Sequence, residues 1–368
     1  MLHCGDNGDD SSPSLVAVTS PLQFPFREPP APGRALEVAP GVRWVRMPLP
    51  FALDHINLWL LEDGGAWTLV DCGIGNPETR ALWERVFAGE KFEVSRVLAT
   101  HCHPDHAGNA AWLTTRFGAP LWMAQAEYLT AHAMRDSAAG YSADAMLALY
   151  RRHGLDDARH AVMAKRGNSY RRLVPELPQS YCRLMPGDAV TIGGRRWRAI
   201  VGYGHAPEHL SFHCEALNVV ISGDMLLPKI STNVSVWPVD PEGDPLRLFL
   251  DSIRAYRELP ADALVLPSHG MPFRGAHARV AQLEAHHDAR LGELLEACRG
   301  EAKSANELVA LLFRRELDAH QLFFALGEAI AHLNHLQHAG VLAREAGADG
   351  VARFAAAKKG AWRTALSA

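Results

Sequence analysis

The chain reads as an α/β protein built in layers, with β-sheets inside and helices outside. Two observations lead there. Short apolar, β-prone runs alternate with helical runs in two series, over about 42–124 and 189–266, and each series ends in a polar cluster. Between them, residues 126–175 carry Met, Ala, Tyr and Arg at helical spacing with no strong strand, which predicts a helical insertion. At 368 residues the chain can bury one large core and a smaller one. Its 48% hydrophobic and 21% charged composition is that of an ordinary globular protein.

Taken in order, residues 1–35 are rich in Pro, Ser, Gly and Asp. Pro21, Pro25, Pro29, Pro30 and Pro32 oppose regular pairing, so this is read as an irregular N-terminal arm. Strands follow at 42–47, 56–61 and 66–70, the last two joined by Asp63-Gly64-Gly65. Asp71-Cys72-Gly73 closes the third strand, and a helix starts with Asn76 as cap and Pro77 at its first position. A strand at 96–100, a helix at 107–116 and a strand at 121–124 complete the first series. After Pro186-Gly187-Asp188 come strands at 189–192, 196–201, 210–213 and 219–222, a helix at 245–259 and a strand at 264–266. Past Gly275 the chain turns helical at 277–298, 304–314 and 319–338, with Gly340 ending the last helix. Segments 341–344 and 351–354 predict a small hairpin, so the tail is winged-helix-like. The division is an arm (1–35), a main domain (36–275, insertion about 126–175) and a C-terminal domain (276–368).

Six residues carry the chemistry: His101-Cys102-His103-Pro104-Asp105-His106, directly after the apolar run 97–100. Three imidazoles suit a borderline metal, and the carboxylate can tether a second ion. Three further ligand types stand at strand ends: His205, Asp224 and His269, each beside a glycine (Gly204, Gly223, Gly270) that permits a tight turn.

These residues resemble the metallo-β-lactamase superfamily, in its glyoxalase-II-like branch. The family's motifs stand here as His101-x-His103-x-Asp105-His106, Gly204-His205-Ala206-Pro207-Glu208-His209, Gly223-Asp224 and Ser268-His269-Gly270, with Asp71-Cys72-Gly73 similar to its early Asp-x-Gly element. The match covers about residues 40–275. The resemblance implies an αββα sandwich. It implies two divalent metal ions, zinc first, with iron or manganese as alternatives. One would be held by His101, His103 and His205, the other by Asp105, His106 and His269, with Asp224 between them. His209 and Asp71 are read as supports, and Cys102 is assigned no chemistry because it should point away. Ala206 and Glu208 depart from the family's usual Thr and Gly. Glu208 is read as a solvated loop carboxylate, with reach into the site as the alternative.

The implied activity is metal-dependent hydrolysis, in which a water bridging two ions is acidified to hydroxide and Asp105, the catalytic residue, orients it and takes its proton. The first substrate reading is a small-molecule ester, thioester or lactone. Tyr128, Met134, Tyr141, Met146 and Tyr150 of the insertion would wall an acyl pocket, and Trp237 and Asn233 either line the site or pack in the core. The alternatives are a nuclease or phosphodiesterase of the same superfamily, and a non-catalytic ligand-binding protein on the same fold. A β-lactamase and a one-iron persulfide dioxygenase use similar residues. A nucleic-acid partner is disfavoured: the net charge is -4, and residues 276–368 hold eleven Lys or Arg against eleven Asp or Glu. In the last long helix Leu322, Leu326, Ile330, Leu333 and Leu336 mark a core face, while His332, His335 and His338 are read as solvated, with metal binding as the alternative. The tail is therefore read as a packing or homo-oligomerising element. No apolar run approaches the roughly 20 residues of a membrane span. The six scattered cysteines and an N-terminus carrying Asp6, Asp9 and Asp10 point to a reduced, cytoplasmic setting.

Overall fold

The computed structural model describes residues 22–88, 92–165 and 167–357. The first 21 residues of the expected arm, including Cys4, Asp6, Asp9, Asp10 and Pro21, lie outside these, as do Lys358, Lys359 and Arg363 of the tail.

Two mixed sheets face each other. The first runs β1 (Ala35–Ala39), β2 (Val42–Pro48), β3 (His55–Asp63), β4 (Ala66–Val70), β5 (Val94–Leu98), β6 (Leu121–Met123) and β7 (Cys182–Arg183) in spatial order. Its pairs are antiparallel up to β4 and parallel from β4 onward. The second sheet holds β8 (Ala189–Ile192), β9 (Arg195–Gly202), β10 (His209–Cys214), β11 (Val219–Gly223) and β12 (Leu264–Pro267) in order β12-β11-β10-β9-β8, with β11 and β12 parallel.

Alternation along each strand builds the layers. In β3, Trp59 and Leu61 join Trp197, Phe212 and Ile221 of the second sheet in an inner core, while Leu58 and Leu60 join a separate outer core. The outer layer on the first sheet is α1 (Pro77–Phe87), α2 (Pro104–Ala107) and α3 (Ala110–Phe117). The insertion supplies α4 (Gln125–Arg135), α5 (Ala143–Arg152), α6 (Asp157–Ala164) and α7 (Ser169–Leu173). The second sheet is covered by α8 (Pro245–Arg254) and α9 (Ala276–Gly300), and the tail adds α10 (Ala305–Leu312), α11 (Ala319–His338) and a hairpin of β13 (Leu342–Ala346) and β14 (Ala352–Ala356). This is the expected αββα sandwich with a helical insertion and a C-terminal helical unit. No helix among the described residues is long and apolar enough to cross a membrane. The five described cysteines are free thiols.

Most elements stand where the sequence places them. Asn76 Oδ1 accepts from the Thr79 amide at 2.7 Å, with Pro77 opening α1. The differences have local causes. β1 lies past the proline-rich stretch and pairs along β2 with a bulge between Glu37 and Ala39, too short and exposed for an alternation signal. The helix expected at 107–116 is α3, which starts at Ala110 after the separate short α2; between them the Asn109 side chain donates to the Ile74 carbonyl at 2.6 Å. The helix expected to 259 ends as α-helix at Arg254 and tightens into a 3-10 turn at Ala255–Glu258.

Candidate metal centre

All seven expected ligands meet at one end of the sandwich, where β5, β9, β11 and β12 deliver their loops. His101, His103, His205 and Asp224 form one group and Asp105, His106 and His269 another, the donor atoms of each group lying within 4.8 Å of one another. Asp224 stands between them. Its Oδ2 lies 3.3 Å from His205 Nε2, and its Oδ1 lies 3.5 Å from both His106 Nε2 and His269 Nε2. Asp105 Oδ2 lies 3.5 Å from His269 Nε2 and 3.6 Å from His106 Nε2. His101 Nε2 is 2.9 Å from His103 Nδ1 and 3.3 Å from His205 Nε2.

A second ring of groups aims these side chains. Asp71 takes φ 64°, a left-handed corner that Asp tolerates better than most residues. Its carboxylate accepts from the Thr100 amide at 2.7 Å and from His106 Nδ1 at 2.8 Å. Thr100 Oγ1 donates to Asp71 and sits 3.0 Å from His101 Nδ1, so one aspartate orients two imidazoles. His205 Nδ1 donates to the Asn233 carbonyl at 2.7 Å, and His269 Nδ1 to the His55 carbonyl at 2.8 Å. Each bond fixes the tautomer that leaves Nε2 with its lone pair facing the cluster. His209 receives the Asp224 amide on Nε2 at 3.0 Å, a support and not a member of either group. At Gly223 (φ 55°) an added Cβ would collide with that His209 ring.

The cluster fits a cation. His106 Nε2 and Asp224 Oδ1 are buried with no hydrogen-bond partner, an arrangement that costs free energy unless something positive takes both lone pairs. Burial pushes His101 and His103 well below the ordinary imidazole value, and neighbouring imidazoles add to it, so both are neutral donors. Burial also works against charge on His106 and His269, but Asp71, Asp105 and Asp224 around the one and Asp224 and Asp105 beside the other outweigh it and raise both. The carboxylates thus draw positive charge into this half of the cluster. Asp224 is held well below the carboxylate range although burial opposes it, by His269 and His106. The donor set is compatible with divalent metal binding.

The sequence missed one support. Glu127, fully buried in α4, accepts from the Cys102 amide at 2.8 Å and the Glu208 amide at 2.6 Å, pinning two ligand loops to each other. No spacing marked it, since its partners are main-chain amides far away in sequence. Two readings are corrected. Glu208 is neither solvated nor in the site. It is half-buried, and its Oε2 accepts from the Ala126 amide at 2.9 Å, capping α4 where Ala124 offers no side-chain cap. His332 is fully buried and 3.0 Å from His287 Nδ1, and His335 pairs with Asp244 at 3.0 Å, so of the three histidines read as solvated only His338 is exposed. Among the described residues no group of three ligands includes them.

A cavity of about 460 Å³ opens onto the cluster, with His103, Asp105, His205, Asp224 and His269 at its floor. Four separate parts of the chain wall it: the loop of Phe51, Ala52 and Leu53; Met134, Tyr141, Met146, Leu147 and Tyr170 of the insertion; the segment 227–237 that follows β11; and Phe313, Phe323, Phe324 and Glu328 of the C-terminal domain. Phe51 stacks on His320 at 4.7 Å, joining the first wall to the last. Asn233 and Trp237 line the cavity, Trp237 between Tyr141 and Phe323. Tyr128 and Tyr150 do not. Their hydroxyls donate to the carbonyls of Pro178 (2.9 Å) and Phe323 (2.7 Å), which turns them into the packing.

Residues 52–269 match the family model of the metallo-beta-lactamase superfamily, and 291–357 match that of the metallo-beta-lactamase-like C-terminal domain. A solved beta-lactamase domain protein from Burkholderia ambifaria is 52% identical, with a TM-score of 0.85 over 91% of this chain and 98% of its own. The probable metallo-hydrolase YqjP of Bacillus subtilis is 24% identical over 301 residues, 80% of this chain and 91% of that protein. An atrochrysone carboxyl ACP thioesterase of Aspergillus fumigatus is 24% identical over 233 residues, 61% of this chain and 39% of that protein.

Proposed function

The chain belongs to the metallo-beta-lactamase superfamily and is a metal-dependent hydrolase, and from that premise we propose that it hydrolyses a small-molecule ester, thioester or lactone with two divalent ions, zinc first, held by His101, His103 and His205 and by Asp105, His106 and His269, with Asp224 shared. The observation that carries the substrate class is the cavity wall. Apart from the cluster's own carboxylates, its charged lining residues among those described are Arg315 and Glu328. A phosphodiester backbone asks for several cations, and one arginine does not supply them. Aromatic and Met side chains instead suit an acyl chain. The similarity to a thioesterase, though distant, points the same way.

When bound, the ions supply Lewis acidity toward the carbonyl oxygen and acidify water. The rest falls to the protein. Asp105, partly exposed on the cavity floor, turns Oδ2 toward His106 and His269, and its carboxylate would orient the attacking water and accept its proton. His55 and Asn233 carbonyls hold their histidines in the donor tautomer throughout. The apolar wall excludes bulk water from the reacting carbonyl.

The test is a panel on metal-replete protein: acyl thioesters, S-lactoylglutathione, aryl esters, lactones, a cephalosporin, bis-p-nitrophenyl phosphate and single-stranded RNA. Turnover concentrated in thioesters, esters or lactones supports the reading. Turnover of the phosphodiesters alone sinks it in favour of a nuclease.

A further inference from the structure

Helix α11 has two faces in use. Leu322, Leu326, Ile330, Leu333 and Leu336 pack in the C-terminal core. Gln321, Phe324, Ala325 and Glu328, at three- and four-residue spacing, line the cavity instead. The helix comes this close because position 327 is glycine: a Cβ there would lie 2.7 Å from Ser235 Oγ, and the Val236 amide donates to the Gly327 carbonyl at 3.2 Å.

Docked in this way, Glu328 accepts from Asn233 Nδ2 on one carboxyl oxygen at 3.1 Å. Ser235 Oγ donates to Asn233 Oδ1 at 2.8 Å and so fixes which way that amide points. The main-chain carbonyl of the same Asn233 holds His205. Among the described residues Glu328 has no other hydrogen-bond or ion-pair partner for its side chain, which leaves its second oxygen on the cavity wall. Burial lifts this carboxyl to about 7. A lone acid in a mostly apolar wall is costly, and packing alone does not ask for one, since Leu would fill the place without the desolvation penalty.

We propose that Glu328 is a specificity-determining residue, whose free carboxyl oxygen binds a hydroxyl, amide N–H or ammonium group carried on the acyl portion of the substrate, away from the carbonyl that is attacked. The proposal rests on the acyl-hydrolase reading above and narrows it to acyl groups with a polar substituent. A site built to satisfy a hydrogen-bonding group rejects the analogue that lacks it more sharply than an apolar pocket can.

The experiment uses the full chain and non-hydrolysable straight-chain carboxamides of four to eight carbons, each plain or bearing a hydroxyl or amino group at successive positions. Affinities are measured by calorimetry for wild type, Glu328→Gln and Glu328→Leu. At one position wild type is expected to prefer the substituted amide by about ten-fold, one charge-assisted hydrogen bond. Glu328→Leu abolishes the preference, and Glu328→Gln, which keeps the shape and an acceptor, retains part of it. Equal preference in all three proteins overturns the proposal and leaves the acyl reading standing. Failure of every amide to bind wild type overturns both.

Discussion

The floor of the cavity and its walls are built on opposite plans. The floor takes seven donor groups from four strand ends and fixes four of its five imidazoles with partners outside the cluster, as Asp71 does for His106 and the Asn233 carbonyl for His205. The walls come from four separate stretches around residues 51, 134–170, 227–237 and 313–328, joined by packing and ring contacts such as Phe51 on His320. On the proposed function, the floor would set the chemistry and the walls would choose what reaches it. Substitutions should therefore affect the reaction at the floor and the choice of substrate at the walls.

The largest effects belong to the floor. Asp224→Ala removes the carboxylate that stands between both groups and is expected to lower the metal content from the proposed two ions per chain to one or none, and kcat/KM by about a thousand-fold or more, since several kcal/mol of charge stabilisation go with it. Elemental analysis and steady-state kinetics on the same preparation check this. Asp105→Ala is expected to abolish turnover. Unchanged activity in either variant would place the chemistry elsewhere. One step out, Asp71→Ala should weaken metal affinity by about 10–100-fold, the usual cost of losing a partner that orients a ligand, as measured by chelator competition.

The same contrast explains what could be read from the sequence. The seven residues that cluster were legible because metal chemistry needs particular residue types at short spacing after a strand, and the strands themselves alternate or run apolar. Asp71 and His209 were legible as supports through the same motifs. Glu127 was not, because it serves two main-chain amides, and any sequence presents those. Glu208 was misread because a carboxylate that caps a helix 82 residues away leaves no local trace. The walls were half legible. Met134, Tyr141 and Met146 stood out in the insertion, yet the contribution of α11 was hidden, since its apolar spacing declared only the core face. Phe323 and Phe324, large aromatics off that face, were the available signal.

Wall substitutions sharpen the comparison from the other side. Phe324→Ala and Met146→Ala each enlarge the cavity beside the floor without touching the cluster. The acyl length with the highest kcat/KM should move upward, with the shortest acyl groups losing about ten-fold through KM while kcat holds, because a methylene in such a pocket is worth about 1–3 kcal/mol. Metal content should not change. A fall in kcat for all lengths together would erase the distinction between floor and wall.

The smallest effect is expected at Glu208, which lies three residues from His205 yet belongs to neither part. Its Oε2 substitutes for the missing cap of α4, so Glu208→Ala leaves the Ala126 amide without its acceptor and removes a negative charge from a helix N-terminus. The expected loss is about 1 kcal/mol of unfolding free energy, read from the urea midpoint. Glu208→Gln keeps an acceptor oxygen and should lose only about half of that. Turnover and acyl preference should both stay within about two-fold, since no step of the reaction uses this carboxylate. A hundred-fold loss of kcat with an unchanged urea midpoint would mean that Glu208 reaches the reacting groups during turnover, and the boundary drawn here between scaffold and floor would have to move to include it.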